Sequence, residues 1–77
     1  MKLHLGGHLS WYVQGKPSWV EVKLSEPTTL IAVLNKLGVP AAEIAVGVVN
    51  GASVLSFEDV RVTDADRVEL FPPVGGG

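Results

Sequence analysis

Apolar and polar residues alternate at the start of the chain, with Leu3 and Leu5 set against Lys2 and His4, the period of a half-buried strand. Gly6-Gly7 interrupts this pattern in a way that suits a bulge or bend. Leu9, Trp11 and Val13 then resume the alternation and predict more strand, closed by a turn at Gln14-Gly15-Lys16-Pro17. Val20, Val22 and Leu24 oppose Trp19, Glu21 and Lys23, which predicts a second strand returning antiparallel to the first. The period changes after Leu24. Ser25 or Glu26 can cap a helix, and Pro27 fits its first turn. Leu30, Val33, Leu34 and Leu37 follow at helical spacing, with Ile31 widening the stripe. Gly38 suits a left-handed stop and Pro40 bars resumption.

Val46, Val48 and Val49 predict a short strand ending at Asn50-Gly51, a strong tight-turn signal. Val54-Leu55 reads as a brief return, and Asp64-Ala65-Asp66 as a second turn. In the last strand Val68 and Leu70 alternate with Arg67, Glu69 and Phe71. The expected class is α+β: one main helix packed across one face of a mixed sheet of four to five strands, the β-grasp or ubiquitin-like order. One domain is expected over residues 1–71, followed by a flexible tail over 72–77. If Val68 and Leu70 face the helix, Phe71 stands on the opposite side near Trp19 as an apolar anchor beside the tail. In the other register it closes the core.

Composition narrows the function. The net charge of −2 leaves no basic footprint for nucleic acid, so packing rather than base stacking accounts for Trp11 and Trp19. No apolar run approaches a membrane span or a signal segment, and the expected location is cytoplasmic. Cysteine is absent, which removes thiolate metal sites and any side-chain thiol that might carry sulfur. His4 and His8, four apart, would stand about 13 Å apart on one strand, too far for a shared ion, and read as solvated or partly packed. Glu58, Asp59, Asp64 and Asp66 read as solvated loop carboxylates. The residues offer no catalytic apparatus.

The tail, Pro72-Pro73-Val74-Gly75-Gly76-Gly77, is unlike the rest. Paired prolines favour an extended stalk, and glycines make a thread without side chains. Such a segment reaches at most about 20 Å and can present a terminal carboxylate inside a narrow channel of another protein.

With the β-grasp order and the Asn50-Gly51 turn, this ending resembles the MoaD and ThiS family of sulfur-carrier proteins. Two features sit between its branches. The molybdopterin-type carriers have Pro-Pro-Val, a variable residue and Gly-Gly, and Gly75 fills that variable place here. The thiamine-type carriers end in three glycines without paired prolines. Gly7–Trp19 matches neither branch closely.

The resemblance implies a carrier that is not itself an enzyme. Its Gly77 carboxylate would be adenylated by a ubiquitin-activating-type adenylyltransferase and converted to a thiocarboxylate with sulfur from a donor protein. The sulfur would pass to a synthase large subunit or equivalent acceptor, the carrier then serving as the small subunit. Gly75, Gly76, Val74 and Phe71 would contact the partner. No cofactor is implied as tightly bound, since ATP is used by the partner. Molybdopterin or tungstopterin synthesis is the favoured pathway and thiamine the next. The alternative is a ubiquitin-like modifier conjugated to lysine through Gly77, and a third possibility is an interaction domain with an inert tail.

Overall fold

The computed structural model describes residues 1–73, so Val74, Gly75, Gly76 and Gly77 lie outside the described residues. Five strands form one mixed sheet in the order β2-β1-β7-β4-β5. They are β1 (Lys2–Leu5), β2 (Trp19–Glu21), β4 (Val46–Val49), β5 (Ala52–Val54) and β7 (Arg67–Phe71). β1 and β7 run parallel at the centre, while β2 pairs with β1, and β4 with both β7 and β5, antiparallel. The helix α1 (Leu30–Leu37) is preceded by a two-residue strand β3 (Thr28–Thr29) that pairs with β6 (Arg61–Val62). One main helix over a mixed sheet with a central parallel pair is the β-grasp arrangement.

Alternation in the strands carries straight into burial. Leu3, Leu5, Val68 and Leu70 are almost fully buried with Leu30, Val33 and Leu34 of α1. Leu37 and Ile31 pack at the rim of this core, as the helical spacing predicts. Gly38 ends the helix at φ 78 in the left-handed region, and its amide closes on Leu34 and Asn35 carbonyls. Asn50 and Gly51 take φ 49 and 86, so β4 and β5 join by the two-residue turn that such a pair favours.

Three expectations need correction. The stretch containing Leu9, Trp11 and Val13 is not strand, since Gly7–Tyr12 forms a 3₁₀ segment and β1 ends at Leu5. The reason is a single anchor: Leu9 is wholly buried, and a 3₁₀ turn delivers it to the core while Trp11 turns away. The helix begins later than the Ser25-Glu26-Pro27 signal suggests. Thr29 is its N-cap, with its hydroxyl accepting from Ala32 N, because Thr28 and Thr29 are taken up by pairing with β6. Finally, Trp11 does not pack inside, while Trp19 takes the outer face that its place opposite Val20 and Val22 predicts. They are 68% and 45% exposed, and each lies beside a cation: Lys16 Nζ is 5.5 Å from the Trp11 ring centroid and the Arg67 guanidinium 4.9 Å from that of Trp19.

Candidate functional site

β7 delivers the chain to its C-terminal segment, and its neighbours fix where that segment leaves. Gly6 N donates to the Leu70 carbonyl at 2.9 Å, and Ala45 N donates to the Phe71 carbonyl at 2.8 Å. The last residues of β7 are therefore held from both edges. Gly6 and Gly7 are required by close approach. A Cβ at Gly6 would stand 2.9 Å from the Leu70 oxygen, and one at Gly7 would stand 2.8 Å from Pro72 Cγ. Gly7 also has φ +52, so this bend, anticipated from Gly6-Gly7, both turns the chain and makes room for the proline.

Phe71 is 36% exposed and lies on the sheet face away from the helix, with Arg67 and Glu69. Its antiparallel partner is Val46, also exposed. β5 ends at the Gly47–Val54 pair, and the next residue, Leu55, is fully exposed in the bend that follows. His4 lies between Phe71 and Trp19, its ring centroid 5.7 Å from the first and 4.9 Å from the second. The His4 Nδ1 atom is buried and has no hydrogen-bond partner among the described residues. An apolar band thus crosses the outer face from Trp19 through His4 and Phe71 to Val46. The C-terminal segment begins within it, directly after Phe71.

Of the residues expected to contact a partner, the structure places Phe71 on this surface, the outward one of its two possible registers. Val74, Gly75, Gly76 and the terminal Gly77 lie outside the described residues. Val46 and Leu55 were not anticipated as surface. Part of their signal was present in the hairpin itself, because a two-residue turn at Asn50-Gly51 puts Val46 and Leu55 in register, although the pairing stops one step short at Gly47–Val54. The alternation of β4 then sends Gly47 inward, where a Cβ would come within 2.6 Å of the Phe57 ring.

The histidines part company. His4 joins the outer aromatic row, while His8 Nε2 pairs with Glu43 Oε1 at 2.6 Å. The other Glu43 oxygen accepts from the Tyr12 hydroxyl. These bonds, Tyr12 first and His8 second, hold the Glu43 carboxyl below its ordinary value, and Glu43 in turn raises the Tyr12 phenol. No group of three or more His, Asp or Glu able to hold a metal ion occurs among the described residues.

Glu58 and Asp59 are exposed, as solvated loop carboxylates should be. Asp64 and Asp66 are more than solvated. Asp64 accepts from Leu24 N at 2.9 Å, and Asp66 accepts from Asn50 Nδ2 at 2.9 Å and Thr63 N at 2.7 Å. Both carboxyls are lowered, Asp64 chiefly by the Leu24 amide and Asp66 chiefly by the Asn50 side chain. They brace turns. No described helix is long and apolar enough to cross a membrane.

Among curated proteins, none matches the chain. The sequence model of the ThiS family, however, matches residues 12–77, which takes in the helix, four of the five sheet strands and the glycine tail. With a five-stranded mixed sheet, one main helix and a glycine-ended segment leaving the central strand, the chain belongs to the ThiS family of small ubiquitin-like sulfur-carrier proteins.

Proposed function

We propose that the protein carries sulfur on its C-terminal carboxylate, with Gly77 as the reacting residue. The observation that carries this reading is the outward-facing Phe71 in its apolar row, immediately before Pro72 and the glycine thread. A partner that grips this row has the tail beside it, and bare glycines fit a channel that side chains would block.

A carboxylate is a poor electrophile, so activation comes first. The Gly77 carboxylate attacks the α-phosphorus of ATP in an adenylyltransferase, and pyrophosphate leaves. A persulfide from a donor protein then attacks the acyl carbon and displaces AMP. A thiol supplies the two electrons that cleave the resulting acyl disulfide, leaving the thiocarboxylate for a synthase acceptor. Within this scheme the carrier's own residues bind and present. Phe71 anchors the partner, while Val74, Gly75 and Gly76 pass through its channel. The pairing Pro72-Pro73-Val74 favours a molybdopterin-type or tungstopterin-type acceptor, with thiamine synthesis next.

Intact mass of the protein from its own cells tests the proposal. A gain of about 16 Da marks oxygen replaced by sulfur. Large conjugates instead would establish a modifier joined through Gly77, and an unchanged mass under sulfur-demanding growth would leave an inert tail. Deleting Gly76-Gly77 should leave the fold intact but abolish AMP acceptance, because the reacting carbon is drawn back by about 7 Å.

A further inference from the structure

We propose that His8, Tyr12 and Glu43 form a clasp that positions the C-terminal segment for its activating enzyme. The role rests on the carrier reading above, but the clasp itself stands on geometry. Two walls enclose the end of β7. On the β1 side Gly6 bonds the Leu70 carbonyl and Gly7 abuts Pro72. On the β4 side Ala45 bonds the Phe71 carbonyl. His8 directly follows Gly7, and Glu43 lies two residues before Ala45.

The His8–Glu43 and Tyr12–Glu43 bonds join these walls across sequence separations of 35 and 31 residues. One carboxylate thus ties two turns of the 3₁₀ segment to the approach of β4, with each oxygen committed to a different donor. With the walls joined, Gly7 stays against the Pro72 ring, and the direction in which the chain leaves β7 is set before any partner arrives. A pre-set exit lowers the ordering cost of threading a tail into a channel. The side chains of His8 and Glu43 are 39% and 40% exposed, so the trio adds little to the core. Its place on the two walls accounts for it better than packing does.

The test uses the full chain with Glu43→Ala, Tyr12→Phe and Glu43→Gln. Amide hydrogen exchange at Gly6 and Ala45 reads the walls, and pyrophosphate release with the adenylyltransferase of the same cells reads presentation. Glu43→Ala removes both bonds and should speed exchange at both amides by about three- to tenfold, as expected for two surface bonds at the weak end of hydrogen-bond energies. It should raise KM for the carrier by about the same factor and leave kcat unchanged, as expected when ordering before binding is lost. Tyr12→Phe should give part of this effect. Glu43→Gln should restore most of the wild-type behaviour, because its amide oxygen still accepts from Tyr12 and its NH2 can donate to His8 Nε2 once that ring takes its other neutral tautomer. Unchanged exchange in Glu43→Ala overturns the clasp whatever the kinetics. Faster exchange with unchanged KM, or a fall in kcat alone, overturns its role in presentation. An equal fall in melting temperature for Glu43→Ala and Glu43→Gln would show a merely structural group. A wild-type chain that accepts no AMP fails the carrier reading instead, and that result requires no variant.

Discussion

The two hairpin connections of the sheet are built on opposite plans. β4 and β5 join through Asn50-Gly51 alone, two residues whose positive φ values close the turn. β1 and β2 join through the whole stretch between Leu5 and Trp19, which folds into a 3₁₀ segment and a second turn with φ 84 at Gly15 and 50 at Lys16. The first connection is specified by local backbone preference. The second is specified by what it touches: Leu9 enters the core, Gly7 meets Pro72, and His8 and Tyr12 reach Glu43. Local chemistry can be read along a chain, whereas contacts at separations beyond 30 residues cannot.

The largest effect expected from breaking this contrast is at Leu9. Its side chain is wholly buried, and Leu9→Ala should cost about 2–5 kcal/mol through lost transfer energy and a residual cavity. Urea unfolding measures this, and a loss well under 1 kcal/mol would mean that the connection does not depend on its anchor. Because Leu9 sets the segment that carries Gly7 and His8, the variant should also loosen the exit of β7.

Asn50 is the counterpart in the tight turn, and its effect should be smaller. It takes φ 49, donates from Nδ2 to Asp66 at 2.9 Å and accepts from Arg67 N at 2.9 Å. Asn50→Ala removes both bonds and strains the left-handed backbone, for a loss of about 1–2 kcal/mol. Asn50→Gly should recover the backbone part and leave only the hydrogen-bond part.

This difference also accounts for what was legible. The Asn50-Gly51 turn, the Gly38 cap and the helical stripe follow from short-range pattern, and the structure has them all, whereas pattern leaves Phe71 two registers and the structure selects the outward one. Leu9, Trp11 and Val13 misled because three apolar side chains at alternate positions look like one buried face, whereas only Leu9 enters the core and Trp11 stands exposed. β3 and β6 were too short to signal, since two residues have no period. The helix start was displaced for the same reason: Thr28-Thr29 pairing with Arg61-Val62 is a long-range event invisible at Ser25-Glu26-Pro27. At the candidate site alternation offers Phe71 two registers without choosing, and the Glu43 contacts of His8 and Tyr12 leave no mark in the sequence.

Acid should sharpen the same comparison through Asp66, which braces the tight turn, and Asp64, which reaches Leu24. Both carboxyls titrate below the ordinary value of 3.8. A carboxyl with a depressed folded value binds fewer protons folded than unfolded over the window between the two values. Its contribution is therefore complete above the unfolded value and is lost as pH falls through the folded one. The urea midpoint should hold steady from about pH 7 to 5 and decline below about pH 4. Asp66→Asn should begin lower and fall less steeply, since one of the titrating braces is gone. A midpoint that rises on acidification would contradict the assignment of both carboxylates.

The smallest expected effect discriminates best. Leu9 and Trp11 are two residues apart, and in a strand they would share one face, so that truncating either would open the core. A 3₁₀ turn rotates the chain by about 120° per residue, which sends a residue two places on to a different side. Trp11 accordingly stands 68% exposed beside Lys16 while Leu9 has no exposure. Trp11→Ser then forfeits only an exposed cation–aromatic contact, about 0.5–1 kcal/mol, despite removing the larger side chain. The ratio of the two losses is the measurement that matters. Comparable losses at Leu9 and Trp11 would require one shared buried face and hence strand; a several-fold excess at Leu9 requires the turn. The result bears on the site as well, because the turn, unlike a strand, carries His8 and Tyr12 back toward Glu43 and keeps Gly7 against the root of the tail.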